Sequence, residues 1–282
     1  MASIMRAVAV AALAVTLIGT SAMGFCCGII EDTVRHETTR DIHVWAPFAG
    51  PFEPRPIVYA MHGTGVDYGG DWEVIGSELA ERGVVVFAPD YHASDWQIPR
   101  WDRVTQELEC GYRYAMEVAD EYSGSPAGPV IYVGHSIGGT NAVAGVLDTT
   151  RFVPGGSYDT CLEGVERPDA AIALGSCFYE HAGVDIAFDA AAYGDGDARL
   201  ILAGGSDDEV CPARQSQDAA AAFREAGYDA AYVEIEAANH LQLIGYDIVD
   251  GEFTSVADDP AVQAVVRLIL DTIEGIPVSY TH

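Results

Sequence analysis

The chain has 282 residues, of which 49% are hydrophobic, and this is enough to build one sizeable core. Its 43 Asp and Glu residues oppose 14 basic residues, all of them Arg, so the formal net charge is −29. This charge argues against nucleic acids and anionic membrane surfaces as partners, because both would be repelled. A hydrated acidic surface suits high salt, which screens self-repulsion, so we interpret the charge as a solubility feature of a saline habitat. A genome that avoids lysine codons is the alternative explanation.

The first residues have the pattern of a secretory signal peptide. Arg6 precedes an apolar run over residues 7–18, and small residues follow over 19–24. The apolar run is short for a membrane span, although an uncleaved anchor is the alternative. We therefore predict a signal peptide over 1–24, an N-terminal segment over 25–40, and a secreted or periplasmic protein. Export permits disulfides among the six Cys residues, none of which has C-x-x-C spacing.

Apolar runs that predict strands alternate with longer segments that have helical periodicity. The predicted strands cover residues 41–46, 57–61, 84–88, 130–133, 170–174, 200–203 and 230–235. The predicted helices cover residues 71–82, 101–122, 137–147, 212–226 and 261–273. This alternation predicts a single α/β domain over residues 41–282, with helices on both faces of a mostly parallel sheet. Ligands of such sheets bind at the carboxyl ends of the strands, so functional residues are expected directly after strands.

One such position holds the pattern G-x-S-x-G, formed by Gly134, His135, Ser136, Ile137 and Gly138. A predicted strand leads directly into this pentapeptide and a predicted helix leads out of it, as in a nucleophile elbow. A side chain at either flanking glycine would collide with a neighbouring element. The sharp turn would hold the serine above the sheet edge, where its hydroxyl can reach a carbonyl. A glycine-rich turn around a buried serine is the alternative.

A serine hydroxyl becomes a good nucleophile only with a base to take its proton and a third group to orient that base. In chains with this elbow, the acid and then the histidine follow the serine. The histidines that remain after the serine are His181, His240 and the terminal His282. His240 stands in a loop directly after a predicted strand, so it is the predicted base. His181 is the weaker candidate.

The acid is expected in the segment after the predicted strand 200–203. Three adjacent carboxylates, Asp207, Asp208 and Glu209, occupy this segment. Asp208 is favoured because it stands four residues before Pro212, the predicted start of the next helix. Asp207 is the second candidate.

An oxyanion hole requires two backbone N–H groups that point at the developing negative charge. We predict the N–H of Ile137, next to the serine, and the N–H of Thr64, which follows an apolar strand. Gly63 and Gly65 flank Thr64 and let the backbone approach a substrate closely. With Gly69 these glycines also lie one residue off a dinucleotide-binding fingerprint. A phosphate cradle is therefore the alternative, but it leaves the serine, the aspartate and the histidine unexplained.

With these motifs the chain resembles the α/β-hydrolase superfamily, and within it the lid-less esterases and lipases related to dienelactone hydrolases, chlorophyllases, cutinases and bacterial polyester hydrolases. The resemblance covers residues 41–273. It rests on His62-Gly63, Ala88-Pro89-Asp90, the serine elbow, the segment from Asp208 to Pro212, and Asn239-His240. It implies the α/β-hydrolase fold and a carboxylic ester hydrolase. The implied roles are nucleophile for Ser136, acid for Asp208, base for His240, and oxyanion donors for Thr64 and Ile137.

The resemblance also has consequences for substrate and stability. Polyester hydrolases commonly carry Met after the nucleophile and an aromatic residue in the first oxyanion position, whereas this chain has Ile137 and Thr64. These departures argue against polymer degradation and leave ester hydrolysis unaffected. No metal or cofactor is implied, and a monomer acting on small-molecule or lipid esters is expected. The fold would bring Cys177 and Cys211 to neighbouring strand ends, where a disulfide would pin the acid loop; free thiols are the alternative.

The segment over residues 176–199 is too short to hold a large lid. It contains Phe178 and Tyr179, which we predict as walls of a substrate pocket, with aromatic core packing as the alternative. Three other functions stay open on the sequence. A serine peptidase and a cofactor-free perhydrolase would use the same three residues, and a binding protein could have kept the scaffold without the activity.

Overall fold

The computed structural model describes residues 29–35, 40–48, 54–64, 69–92, 101–123, 128–147, 166–181, 184–185, 188–193 and 197–276. The predicted signal peptide lies outside these residues, as does His282. The described strands are β1 (Ile29–Arg35), β2 (Asp41–Pro47), β3 (Ile57–Met61), β4 (Val85–Pro89), β5 (Val130–His135), β6 (Ala170–Leu174), β7 (Glu180–His181), β8 (Val184–Asp185), β9 (Arg199–Gly205), β10 (Ala230–Ile235), β11 (Tyr246–Val249) and β12 (Glu252–Ser255). The described helices are α1 (Glu73–Glu81), α2 (Trp101–Ser123), α3 (Ile137–Val146), α4 (Ala213–Glu225) and α5 (Pro260–Glu274).

Eight of these strands form one sheet in the order β1-β2-β4-β3-β5-β6-β9-β10. β1 pairs antiparallel with β2, and β2 pairs antiparallel with β4. From β4 to β10 every neighbouring pair is parallel. The central strands β3, β4 and β6 are buried along their whole length, which is why they are continuous apolar runs. The predicted mostly parallel sheet is confirmed.

Two apolar cores lie on opposite faces of this sheet. One core joins the sheet to α2, α3 and α4 through residues such as Tyr112, Val143 and Phe223. The other joins it to α1 and α5 through residues such as Leu79 and Val265. Each helix therefore buries one apolar stripe against the sheet, and the sheet is covered on both faces.

Among the described strands, β1, the short pair β7–β8 and the hairpin of β11 and β12 were not predicted. β1 has an exposed centre of polar residues, Glu31 to Thr33, and so lacks the apolar run of a buried strand. The hairpin of β11 and β12 turns through Asp250 and Gly251, which both have positive φ, 54° and 83°. Asp-Gly is a strong signal for a two-residue hairpin turn, and it was present in the sequence.

The parallel pairing brings four loops to the same edge of the sheet. β5, β6, β9 and β10 are neighbours, and each ends at this edge. The loops that follow them carry, in that order, Ser136, Gly175, Asp208 and His240. The parallel pairing therefore places at one edge of the sheet residues that are far apart in the chain and that can take part in catalysis.

A disulfide joins Cys177 to Cys211, with 4.9 Å between the two Cα atoms, so the predicted pairing is confirmed. Cys110 is disulfide-bonded as well. In the part of the chain that the structure describes, none of the helices has the length and apolar character needed to cross a bilayer.

Candidate active site

Ser136 occupies a strained turn between β5 and α3. Its φ is 57° and its ψ is −126°, a region that residues with a side chain rarely adopt. Such a conformation costs on the order of 1–3 kcal/mol and persists only where its surroundings impose it. Here the Ser136 N–H donates to the Leu174 carbonyl at 2.9 Å, and the Gly139 N–H donates to the Ser136 carbonyl at 3.1 Å. The turn is therefore held from both sides, by β6 and by the first turn of α3.

The two glycines of the elbow are required by close backbone contacts. A Cβ at Gly134 would lie 2.0 Å from the Gly138 carbonyl oxygen. A Cβ at Gly138 would lie 2.2 Å from the carbonyl oxygen of Met61, the last residue of β3. Neither contact leaves room for a side chain, because the obstacles are backbone atoms. The elbow thus packs directly against the end of β3.

Asp208 and His240 are hydrogen-bonded. The His240 Nδ1 donates to the Asp208 Oδ2 at 2.8 Å, and the Asp208 side chain is fully buried. The other carboxylate oxygen, Oδ1, accepts from the N–H groups of Val210 at 2.9 Å and Cys211 at 2.8 Å. Three donors therefore fix the orientation of this carboxylate. The neighbouring Asp207 is exposed and accepts from the Ser206 hydroxyl at 3.1 Å instead.

The loop that carries His240 is fixed by Asn239, to which the sequence analysis assigned no role of its own. The Asn239 Oδ1 accepts from the N–H groups of Leu241 and Gln242, both at 3.0 Å. The Asn239 Nδ2 donates to the Asp247 Oδ1 at 3.0 Å, which ties the loop to β11. Asn in a tight loop after a strand is a signal of this role, because its side chain can bond to the backbone two residues on.

Gly175 is a second residue to which the sequence analysis assigned no role. It follows β6 directly and has a φ of +53°. A Cβ there would lie 2.8 Å from the Asp208 Oδ2 and 3.3 Å from the His240 Nδ1. The glycine therefore makes room for the hydrogen bond between the carboxylate and the imidazole. A glycine at the carboxyl end of a buried strand was the available signal.

His135, predicted as part of the elbow, points toward His240. Its ring centroid lies 4.4 Å from that of His240, and its Nε2 lies 2.9 Å from the His240 carbonyl oxygen. Because a carbonyl can only accept, Nε2 carries the proton and donates. Burial, and next the charge on His240, lower the pKa of His135 well below its usual 6.5. The ring is therefore neutral at physiological pH.

The loop after β3 lies over the serine. A Cβ at Gly63 would be 3.0 Å from the Ser136 Cβ, so this loop passes directly beside the nucleophile elbow. The buried His62 holds the loop, since its Nδ1 donates to the Gly63 carbonyl at 2.8 Å and its Nε2 accepts from the Tyr91 N–H at 3.3 Å. Thr64 follows directly and is partly exposed. The predicted oxyanion segment and the serine are thus neighbours.

Comparison with known proteins gives matches among solved structures, whereas no protein-family model and no curated protein matches the sequence. Esterase 2 of Thermogutta terrifontis with butyrate bound has a TM-score of 0.58 and 17% identity, covering 86% of this chain and 91% of that chain. Its paraoxon-phosphorylated form has a TM-score of 0.60 and 16% identity, covering 87% and 93%. Its tabun-phosphoramylated form has a TM-score of 0.61 and 17% identity, covering 90% and 97%.

The chain has the α/β-hydrolase fold. The match covers 86–90% of this chain and 91–97% of those chains. Within this α/β-hydrolase fold, Ser136 follows β5 and His240 follows β10, the strand at the edge of the sheet. The TM-scores of 0.58 to 0.61 establish the common architecture, whereas identities of 16–17% carry no conclusion about activity.

The two aromatic residues predicted as pocket walls differ in their surroundings. Phe178 is fully buried in an aromatic cluster, with its ring centroid 5.4 Å from that of Phe188 and 6.4 Å from that of Phe223. It is closed off from solvent and belongs to the core, which was the alternative. Tyr179 is partly exposed and packs edge-on against Phe188 at 5.0 Å. As a pocket wall, Tyr179 stays a prediction. The side chain of His181 lies outside the described residues.

The Cys177–Cys211 disulfide is expected to support both the stability of the fold and the position of Asp208. For its separation of 34 residues, loss of the cross-link is expected to lower the free energy of unfolding by about 3–4 kcal/mol. Because the Cys211 N–H donates to Asp208, loss of the cross-link is also expected to loosen the loop that positions this carboxylate. Thermal unfolding of Cys177→Ala, compared with the untreated wild type, checks the effect on stability without opening the disulfide of Cys110. An unchanged melting temperature would contradict it.

Proposed function

We propose that this α/β-hydrolase is a serine carboxylic ester hydrolase in which Ser136, His240 and Asp208 act as nucleophile, base and acid. The observation that carries the proposal is the short hydrogen bond between His240 and the fully buried Asp208, at the sheet edge where a strained turn presents Ser136. A buried carboxylate that orients a histidine beside a serine on such a turn is the arrangement that activates a hydroxyl.

In the first half of the reaction His240 takes the Ser136 proton while the serine oxygen attacks the ester carbonyl. Since Nδ1 of His240 donates to Asp208, its Nε2 is the nitrogen left to accept this proton. The imidazole then becomes an imidazolium, which the buried carboxylate stabilises. The Asp208 side chain accepts three hydrogen bonds, which hold it in place beside the imidazole.

The negative charge that develops on the carbonyl oxygen is held by two backbone amides. Ile137 is the first residue of α3, so its N–H is free of helical hydrogen bonding and shares the positive end of the helix dipole. The Thr64 N–H lies in the loop that passes beside Ser136. Backbone donors that are in place before the substrate arrives are what makes such stabilisation effective.

In the second half His240 returns the proton to the leaving alcohol, and an acyl-enzyme remains on Ser136. A water molecule then gives a proton to His240 and attacks the acyl carbonyl. The second tetrahedral intermediate collapses, the carboxylic acid leaves, and the proton on His240 returns to Ser136. Each proton is accounted for within the three residues and water, so the cycle regenerates the starting enzyme.

Small esters with short acyl chains are the proposed substrates. Structures of the Thermogutta esterase contain butyrate and propionate, and its other structures are phosphylated by organophosphates such as paraoxon and tabun. The segment between β6 and β9 is short, so it supplies no large lid that could enclose a long acyl chain, and a small substrate is favoured. The predicted signal peptide, together with the disulfides of the chain, supports a secreted or periplasmic location.

The proposal is tested by covalent labelling together with ester hydrolysis. A fluorophosphonate is expected to add once per chain, and peptide mass spectrometry is expected to place the adduct on Ser136. p-Nitrophenyl esters of two to twelve carbons, in low and high salt, are expected to be hydrolysed fastest at the short end. A folded protein that is neither labelled nor active at any salt concentration would exclude the proposal and favour a binding protein. Labelling without ester hydrolysis would favour a peptidase or a perhydrolase.

A further inference from the structure

We infer that His135 is a positioning residue that sets the spacing between nucleophile and base, by donating a hydrogen bond from its Nε2 to the main-chain carbonyl of His240. This inference rests on the proposed function. Its basis is a direct connection between the two reacting residues. His135 is bonded covalently to Ser136, and its ring contacts His240, so one peptide unit and one hydrogen bond join nucleophile and base.

The contact has the geometry of a specific interaction. The Nε2 of His135 lies 2.9 Å from the His240 carbonyl oxygen, a normal length for an N–H···O hydrogen bond. The two rings lie 4.4 Å apart between centroids, at an angle of 48°. His135 is only 4% exposed, so its side chain has little freedom to move. Loss of this donor would leave the His240 carbonyl to find another partner.

The remaining contacts of the His240 loop hold it to other parts of the chain. The Ala237 N–H donates to the Ser206 hydroxyl at 2.8 Å, next to β9. Asn239 ties the loop to β11 through Asp247, and Asp208 holds the imidazole itself. The hydrogen bond from His135 joins the loop to β5, the strand that carries the serine. This hydrogen bond therefore helps to set the distance between the Ser136 hydroxyl and the His240 Nε2, on which proton transfer depends.

The protonation state of His135 suits a place beside the base. During the reaction His240 carries a positive charge, and a second charged imidazole at this distance would oppose it. The titratable groups around His135 are His240 and, more distantly, His62, while Gly63 approaches from the loop after β3. Burial holds the pKa of His135 low, so it stays neutral through the cycle and acts as a hydrogen-bond donor alone.

Two amide side chains that differ in length by one methylene group distinguish the hydrogen bond from simple packing. Counted in bonds from Cβ, the amide nitrogen of Gln matches Nε2 of histidine, whereas that of Asn matches Nδ1. His135→Gln can therefore keep the donor that faces His240, His135→Asn cannot reach it, and His135→Phe keeps a ring without any donor. We expect kcat for p-nitrophenyl butyrate to fall about 10- to 100-fold in His135→Asn and His135→Phe. We expect it to stay within about three-fold of wild type in His135→Gln, with KM similar throughout.

Melting temperatures show whether each variant is folded, and kcat is compared only among folded variants. Equal kcat in all four proteins overturns the inference, and so does a Gln variant as slow as the Phe variant, because packing alone would then matter. These outcomes differ from failure of the proposed function, in which the wild type itself is neither labelled by a fluorophosphonate nor active on esters. An active wild type, together with kcat values that fall in His135→Asn and His135→Phe but not in His135→Gln, supports both the proposed function and the role of His135.

Discussion

Ser136→Ala and Ser136→Gly are both expected to lose ester hydrolysis, by a factor on the order of 10⁶ in kcat, because either change removes the attacking oxygen. The two variants are expected to differ in stability. Alanine keeps a Cβ in the strained conformation of φ 57° and ψ −126°, whereas glycine adopts it without steric conflict. Relief of this strain outweighs the extra freedom that glycine has in the unfolded chain. The glycine variant is thus expected to be more stable than the alanine variant by about 1 kcal/mol.

Rates with p-nitrophenyl butyrate and thermal unfolding of the three proteins measure both effects. The matched pair matters, because a comparison with wild type alone would mix loss of the hydroxyl with relief of strain. Residual hydrolysis in Ser136→Ala above a few millionths of the wild-type rate would point to a different nucleophile or a contaminating esterase. An alanine variant that is more stable than the glycine variant would show that the turn is not strained.

A strained nucleophile also explains why the elbow is built from close contacts. The Ser136 conformation is unfavourable alone, so β6 and α3 must impose it, through hydrogen bonds from the Ser136 N–H to Leu174 and from the Gly139 N–H to the Ser136 carbonyl. Gly134 and Gly138 bring backbone segments to distances that exclude any side chain. The free energy that holds the serine in this conformation comes from packing of the sheet, so stability and catalysis are linked at this point.

The sequence predicted the features that depend on local patterns. Buried parallel strands are continuous apolar runs, and glycines at a strand-to-helix turn have a steric cause, so the sheet and the serine elbow followed directly. The position of His240 followed from its place after a strand. The Asp250-Gly251 pair is a local turn signal as well, and it is sufficient to predict the hairpin of β11 and β12.

The features that depend on directions in space were not accessible from the sequence. Asp207 and Asp208 are adjacent and chemically identical, yet one is exposed and the other is buried against His240. Only the path of the loop after β9 decides between them. The contact between His135 and the His240 loop joins residues 105 positions apart and has no local signature. The role of Phe178 was open for a similar reason, because a sequence does not distinguish an aromatic residue that lines a pocket from one that packs in the core.

Asp208→Asn is expected to lower kcat by a factor on the order of 10³–10⁴, whereas Asp207→Asn is expected to stay within about three-fold of wild type. The Asp208 Oδ1 accepts from the N–H groups of Val210 and Cys211, so an asparagine keeps its oxygen there and turns its amide nitrogen toward His240. Nδ1 of His240 must then accept instead of donate. The proton moves to Nε2, which can no longer take the proton of Ser136.

The adjacent Asp207 is the matched control for this change. It loses the same charge one residue away, so a general effect of charge on this acidic protein would appear in both variants. We would measure kcat for p-nitrophenyl butyrate at pH 7 and thermal unfolding for both variants, to decide which of the two carboxylates orients His240. A greater loss of activity in Asp207→Asn would assign the acid to the other carboxylate. Equal, small losses would mean that the orientation of His240 does not depend on the buried carboxylate, and the proposed mechanism would then lack its third group.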